Sequence, residues 1–74
     1  MPRLEIESEV QGSVWKVLVA KGVEVAAGEV LLIIESMKME IPVEAPAAGR
    51  LIELKVKPED AVEEDQLLAV LESS

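Results

Sequence analysis

GSVWKVLVAKGVEVAAGEVLLIIES, residues 12–36, and GRLIELKVKPEDAVEEDQLLAVLES, residues 49–73, are one pattern written twice. Laid over one another without a gap, Gly12 meets Gly49, Val19 meets Val56, Val25 meets Val62, Leu31 meets Leu68, and Glu35-Ser36 meets Glu72-Ser73. Apolar residues also meet apolar residues at Val14 and Leu51, Trp15 and Ile52, Val17 and Leu54, Val30 and Leu67, Ile33 and Val70, and Ile34 and Leu71. A repeat unit this short cannot bury its own apolar face, so the two halves are expected to pack on each other around one core. Met37-Lys38 falls at the junction of the halves, and Met1 and Ser74 are the free ends. If a rotation axis relates the halves, junction and ends occupy equivalent places at opposite ends of the molecule, with Lys38 projecting from one pole.

The segments inside the repeat read as short strands. Residues 51–57 alternate Ile52, Leu54 and Val56 with Glu53, Lys55 and Lys57, the pattern of a half-buried strand. The matching stretch of the first half is expected to point Trp15, Val17 and Val19 inward and to expose Val14 and Leu18, with Trp15 as a core residue. Residues 30–34 and 67–71 are leucine-rich and β-branched runs bounded by turn or charged residues. They fit buried strands, although periodicity alone does not separate them from short buried helices. Many short apolar segments, each ended by Gly, Pro or an acidic cluster, predict an all-β sandwich or flattened barrel of about eight strands. Residues 1–74 are read as a single small domain, near the size at which one core suffices.

A two-residue hairpin loop at Met37-Lys38 would set Ser36 opposite Met39, Glu35 opposite Glu40, Ile34 opposite Ile41 and Leu32 opposite Val43. Such loops favour Asn, Asp or Gly, because their central residues need positive φ. Glu35 across from Glu40 would be a like-charge pair, which weakens a ladder. Local stability therefore does not account for Glu35-Ser36-Met37-Lys38-Met39-Glu40, and a functional requirement does.

Composition narrows the classes of function. The net charge is −8 with seven basic residues spread along the chain, which disfavours a phosphate backbone as partner; no nucleic acid is expected. There is no cysteine, hence no disulfide and no thiolate ligand, which fits a reducing compartment and a cytoplasmic location. The longest apolar run is far too short to span a bilayer, and the first residues lack the apolar region of a signal peptide, so no membrane partner is expected. With no His, Cys or Tyr, the usual proton shuttles and thiol nucleophile are missing, and no serine has an imidazole to activate it. That speaks against a stand-alone enzyme. Glu59, Asp60, Glu63, Glu64 and Asp65 lack calcium-loop spacing and read as a solvated face, with no metal site.

The stretch Glu35 to Glu40 resembles the attachment motif of the biotinyl domains, the carrier modules of biotin-dependent carboxylases, in which a Met-Lys-Met tripeptide sits on a hairpin. The similarity extends to Gly12-Ser13-Val14, to the turn at Val25-Ala26-Ala27-Gly28-Glu29-Val30-Leu31, and to Ala45-Pro46-Ala47-Ala48-Gly49. It implies a flattened barrel of two four-stranded antiparallel sheets with quasi-twofold symmetry, carrying biotin covalently on Lys38. Met37, Met39, Glu35 and Glu40 would serve recognition by ligase and carboxylase. It further implies that a biotin protein ligase installs the biotin, which then moves a carboxyl group between biotin carboxylase and carboxyltransferase sites, as in an acetyl-CoA, propionyl-CoA or related acyl-CoA carboxylase. No catalytic residue is implied in this chain. A lysine side chain, of pKa about 10.4, is protonated at pH 7 and not nucleophilic by itself, so the ligase must supply an activated acyl donor and a base.

The chain departs from the family pattern at Glu59 and Asp65, where glycine is usual, while the first-half equivalents Gly22 and Gly28 are kept. Glu59 is the more strained of the two if its φ is positive. The competing readings are a lipoyl carrier of a 2-oxoacid dehydrogenase, a small protein accepting both biotin and lipoate, and an interaction module using Val14 and Leu18. In lipoyl carriers the lysine typically follows an aspartate, so Met37 and Met39 favour biotin. For Met37 and Met39 the plain alternative is gap-filling in the core; for Lys38, Glu35 and Glu40 it is solvated surface charge.

Overall fold

The computed structural model describes residues 2–73. It contains eight strands: β1 (Arg3–Glu7), β2 (Gly12–Val17), β3 (Glu24–Val25), β4 (Val30–Ser36), β5 (Met39–Glu44), β6 (Gly49–Leu54), β7 (Ala61–Val62) and β8 (Leu67–Ser73). They form two four-stranded sheets of order β1-β8-β6-β3 and β5-β4-β2-β7, with every pairing antiparallel. Exchanging β1 with β5, β8 with β4, β6 with β2 and β3 with β7 turns one order into the other, which is the quasi-twofold arrangement expected from the repeat.

The core obeys the same exchange. One cluster holds Val25, Leu31, Leu51, Ala69 and Leu71; the other holds their repeat partners Val62, Leu68, Val14, Leu32 and Ile34. Val43 and Leu54 border both clusters and join them. Full burial of each Leu or Ile contributes roughly 1.5–3 kcal/mol, and Leu31, Leu32, Ile34, Leu51, Leu68 and Leu71 are all at 0% exposure. Gly12 and Gly49 have a shared reason to be glycine. A Cβ on Gly12 would collide with the carbonyl oxygen of Glu35, and one on Gly49 with that of Glu72.

Trp15 and Val14 trade the places expected of them. Val14 is 2% exposed and lies in the core, whereas Trp15 is 41% exposed, with the Lys16 ammonium 4.5 Å from its ring centroid. The cause is a β-bulge: the β2–β4 register shifts between Val14 and Lys16, so the inward alternation slips by one residue at Trp15. The second half repeats this between Leu51 and Glu53, burying Leu51 completely and leaving Ile52 only partly buried. Leu18 is exposed, as expected, and Val17 and Val19 pack against the core from half-buried positions. No helix forms in residues 30–34 or 67–71, which are strand.

Candidate functional site

The β4–β5 hairpin has the expected register: Leu32 opposite Val43, Ile34 opposite Ile41, Glu35 opposite Glu40 and Ser36 opposite Met39. Ile34 is fully buried and Ile41 partly so, which fixes which face of the hairpin points inward. Register is thus set by the core, and a one-residue slip would turn Ile34 to solvent. Between Ser36 and Met39 the chain turns at Met37 (φ 50) and Lys38 (φ 68), two consecutive left-handed residues. That is the backbone of a two-residue type I′ turn, whose twist matches the flanking strands, built here with side chains that left-handed backbone disfavours.

The tip is held from below and bare above. The Ser36 hydroxyl donates a 2.6 Å hydrogen bond to the Gln11 carbonyl, tying the last residue of β4 to the loop before β2. Gly12 lets β2 start directly beneath Glu35. Met37 is 92% exposed and Met39 64%, so neither fills the core, and Lys38, Glu35 and Glu40 are exposed with them. Among the described residues Lys38 enters no ion pair; the two that form join Arg50 to Glu24 and Lys55 to Glu53. The hairpin therefore presents a primary amine on a flexible stem, beside two bare thioethers, at the end of a rigid ladder. At the equivalent place in the other half, the Ser73 N–H donates to the Pro2 carbonyl and the chain's two ends come together; Met1 and Ser74 lie outside the described residues.

All five residues singled out in the sequence, Glu35, Met37, Lys38, Met39 and Glu40, thus share this tip. Two contributors were not among them. Gly12 carried a signal, since its match with Gly49 marks a position where both halves approach a neighbouring strand closely. Gln11 carried none, because it acts through its backbone carbonyl. Glu9, Val10 and Glu64 also come to the surface beside Met37, brought there by the loops that precede β2 and β8. The turns at Glu59 (φ 76) and Asp65 (φ 67) are left-handed, as are those at Gly22 (φ 91) and Gly28 (φ 83).

Biotin on a carrier is held through one amide to a lysine amine, and the exposed Lys38 side chain, unpaired and unobstructed, meets that requirement. Comparison with known proteins gives the same family. The biotin/lipoyl profile, described as "Biotin-requiring enzyme", matches residues 4–71. A Mycobacterium leprae protein described as "Biotinylated protein TB7.3 homolog" is 39% identical over 67 residues, covering 90% of this chain and 94% of the relative. The Bacillus subtilis "Biotin/lipoyl attachment protein" is 38% identical over 71 residues, covering 96% of this chain and 97% of the relative. A solved single-chain, multi-domain long-chain acyl-CoA carboxylase superposes with a TM-score of 0.92 at 28% identity, over 97% of this chain but only 7% of that one. This chain belongs to the biotin/lipoyl family of biotin-requiring enzymes.

Proposed function

We propose that Lys38 is the residue to which biotin is attached, and that the hairpin tip is what a biotin protein ligase recognises. The carrying observation is the turn itself: two left-handed residues that are neither Gly nor Asn, with both methionines bare and the lysine free between them. The chain is a biotin carboxyl carrier domain of biotin-dependent carboxylases and is not catalytic itself. Held on Lys38, biotin would supply the group that carries a carboxyl between one active site and another. The chain contributes position and reach. Lys38 places the amide in the turn that closes the β4–β5 ladder, on a body measuring 35 × 18 × 17 Å.

In the attachment step, the ligase removes the proton from the Lys38 ammonium and Nζ attacks the acyl carbon of an activated biotinyl adenylate. One N–C bond forms, the acyl–phosphate bond breaks and AMP leaves. Met37 and Met39 offer polarisable apolar surface on either side of the amine, and Glu35 and Glu40 frame it with negative charge.

The test is the intact mass of the chain after incubation with ATP, biotin and a biotin ligase, beside Lys38→Ala. A single biotinyl increment absent from the control is expected; no increment, or an equal one in the control, refutes the assignment. A parallel reaction with lipoate and a lipoate ligase addresses the second reading, favoured by the likeness to a biotin/lipoyl attachment protein. We further propose an acyl-CoA carboxylase as the assembly served, on the likeness to the long-chain acyl-CoA carboxylase. Carboxylation assays of the loaded chain with carboxylase subunits and acetyl-CoA, propionyl-CoA, pyruvate or urea as acceptor distinguish the types.

A further inference from the structure

A groove of about 400 Å³, which Lys38 does not line, runs between β1 and β5, the edge strands of the two sheets. Its floor is apolar, formed by Ile6, Ile41, Val43 and Ala45, of which Ile6 and Ala45 are buried and Ile41 and Val43 half-buried. Its rim carries four carboxylates, Glu5, Glu7, Glu9 and Glu44, and no lysine or arginine lines it. None of the four joins either ion pair formed among the described residues. Four negative charges thus stand beside apolar surface that is only partly covered at Ile41 and Val43.

That pairing of floor and rim selects its occupant. A second copy of this chain brings a net charge of −8 to an acidic rim and is repelled, as are nucleic acid and anionic lipid. Arginine and lysine side chains match it: their apolar stems lie along an apolar floor while the charged heads reach a carboxylate rim. Pro42 lacks an N–H, which interrupts strand addition along β5 and leaves side chains to make the recognition. We infer that the β1–β5 groove is a docking site for a short extended segment of a partner protein in which arginines or lysines alternate with apolar residues. The site is separate from the Lys38 assignment and does not depend on it. Glu9 and Val10 line both this groove and the surface beside Met37, so a partner holding the groove stands next to the hairpin tip.

The test uses the whole chain and a defined probe, the peptide acetyl-Arg-Val-Arg-Val-Arg-amide, titrated while NMR shifts are followed at the methyls of Ile6, Ile41, Val43 and Ala45. Shifts concentrated on those residues are expected. The triple variant Glu5→Gln, Glu7→Gln, Glu44→Gln is expected to weaken binding about tenfold, since three partly exposed charge pairs are lost. A charge-matched triple on the opposite sheet edges, Glu24→Gln, Glu59→Gln, Glu63→Gln, is expected to change it less than about twofold, as is Lys38→Ala. Equal weakening by the two triples, shifts spread over both sheets, or no binding by the unaltered chain would overturn the proposal. So would groove shifts that appear on concentrating the chain alone, which would assign the surface to self-association.

Discussion

Replacing Met37-Lys38 by Asn-Gly is expected to stabilise the domain while abolishing its modification. Both residues sit in left-handed backbone, at φ 50 and φ 68. That conformation costs an ordinary L-residue roughly 1 kcal/mol, which Asn largely and Gly wholly avoids. Little is lost in exchange: Met37 is 92% exposed, Lys38 is exposed, and Lys38 enters neither ion pair formed among the described residues. Glycine at position 38 adds chain entropy to the unfolded state, which removes part of the gain. The net is about 1.5 kcal/mol. For a domain of this size that corresponds to a rise in Tm of roughly 6–12 °C, measured by calorimetry or by circular dichroism with urea titration. Met37→Asn alone isolates half the effect and keeps the amine, so its Tm and its rate of ligase modification are read on one protein; Tm should rise and the rate should fall. An unchanged or lower Tm in both variants would refute the reasoning. It would mean that the side chains of Met37 and Lys38 stabilise the tip by more than their backbone strain costs, and that the choice of these residues needs no functional explanation.

Glu59→Gly should raise stability by ~1 kcal/mol, because Glu59 is exposed at φ 76 and a glycine avoids that strain; a lower urea midpoint would refute it. Gly12→Ala should destabilise by more than about 2 kcal/mol, since the new Cβ meets the Glu35 carbonyl and the backbone must move. Displacement of the hairpin base should also show as altered amide shifts at Ser36 and Met39, and an alanine variant as stable as the parent would contradict the packing. Trp15→Ala should cost less than about 1.5 kcal/mol, well below the roughly 3–5 kcal/mol of a buried aromatic, because the ring stands on the outer face. A loss in the core range would put Trp15 back inside.

What the sequence exposed and what it hid follow from where each piece of information resides. Hairpin register was legible because a two-residue loop leaves one pairing that keeps Ile34, Ile41, Leu32 and Val43 on a single face, and the core enforces that face. The candidate site could be proposed from the sequence for the opposite reason: Met37 and Lys38 contradict the preferences of the turn they occupy, and such contradictions concentrate where function overrides stability. The acidic groove was not, since Glu5, Glu7, Glu9 and Glu44 are brought together only when the edges of two different sheets meet.

The orientation of Trp15 failed for a subtler reason. Simple alternation assumes that each residue advances the pleat by one step, but the bulges at Trp15 and Ile52 each insert a residue that has no partner of its own. Because both halves carry the bulge at the same place, Trp15 and Ile52 still match each other, as do Val14 and Leu51. An irregularity shared by two repeats leaves their alignment gapless. Only the side-chain sizes give a clue: Val14 and Leu51 are aliphatic in both halves, whereas the bulge position holds Trp in one half and Ile in the other. That difference in volume is large for a shared core position and small for an outer face, which is where both residues turn out to stand.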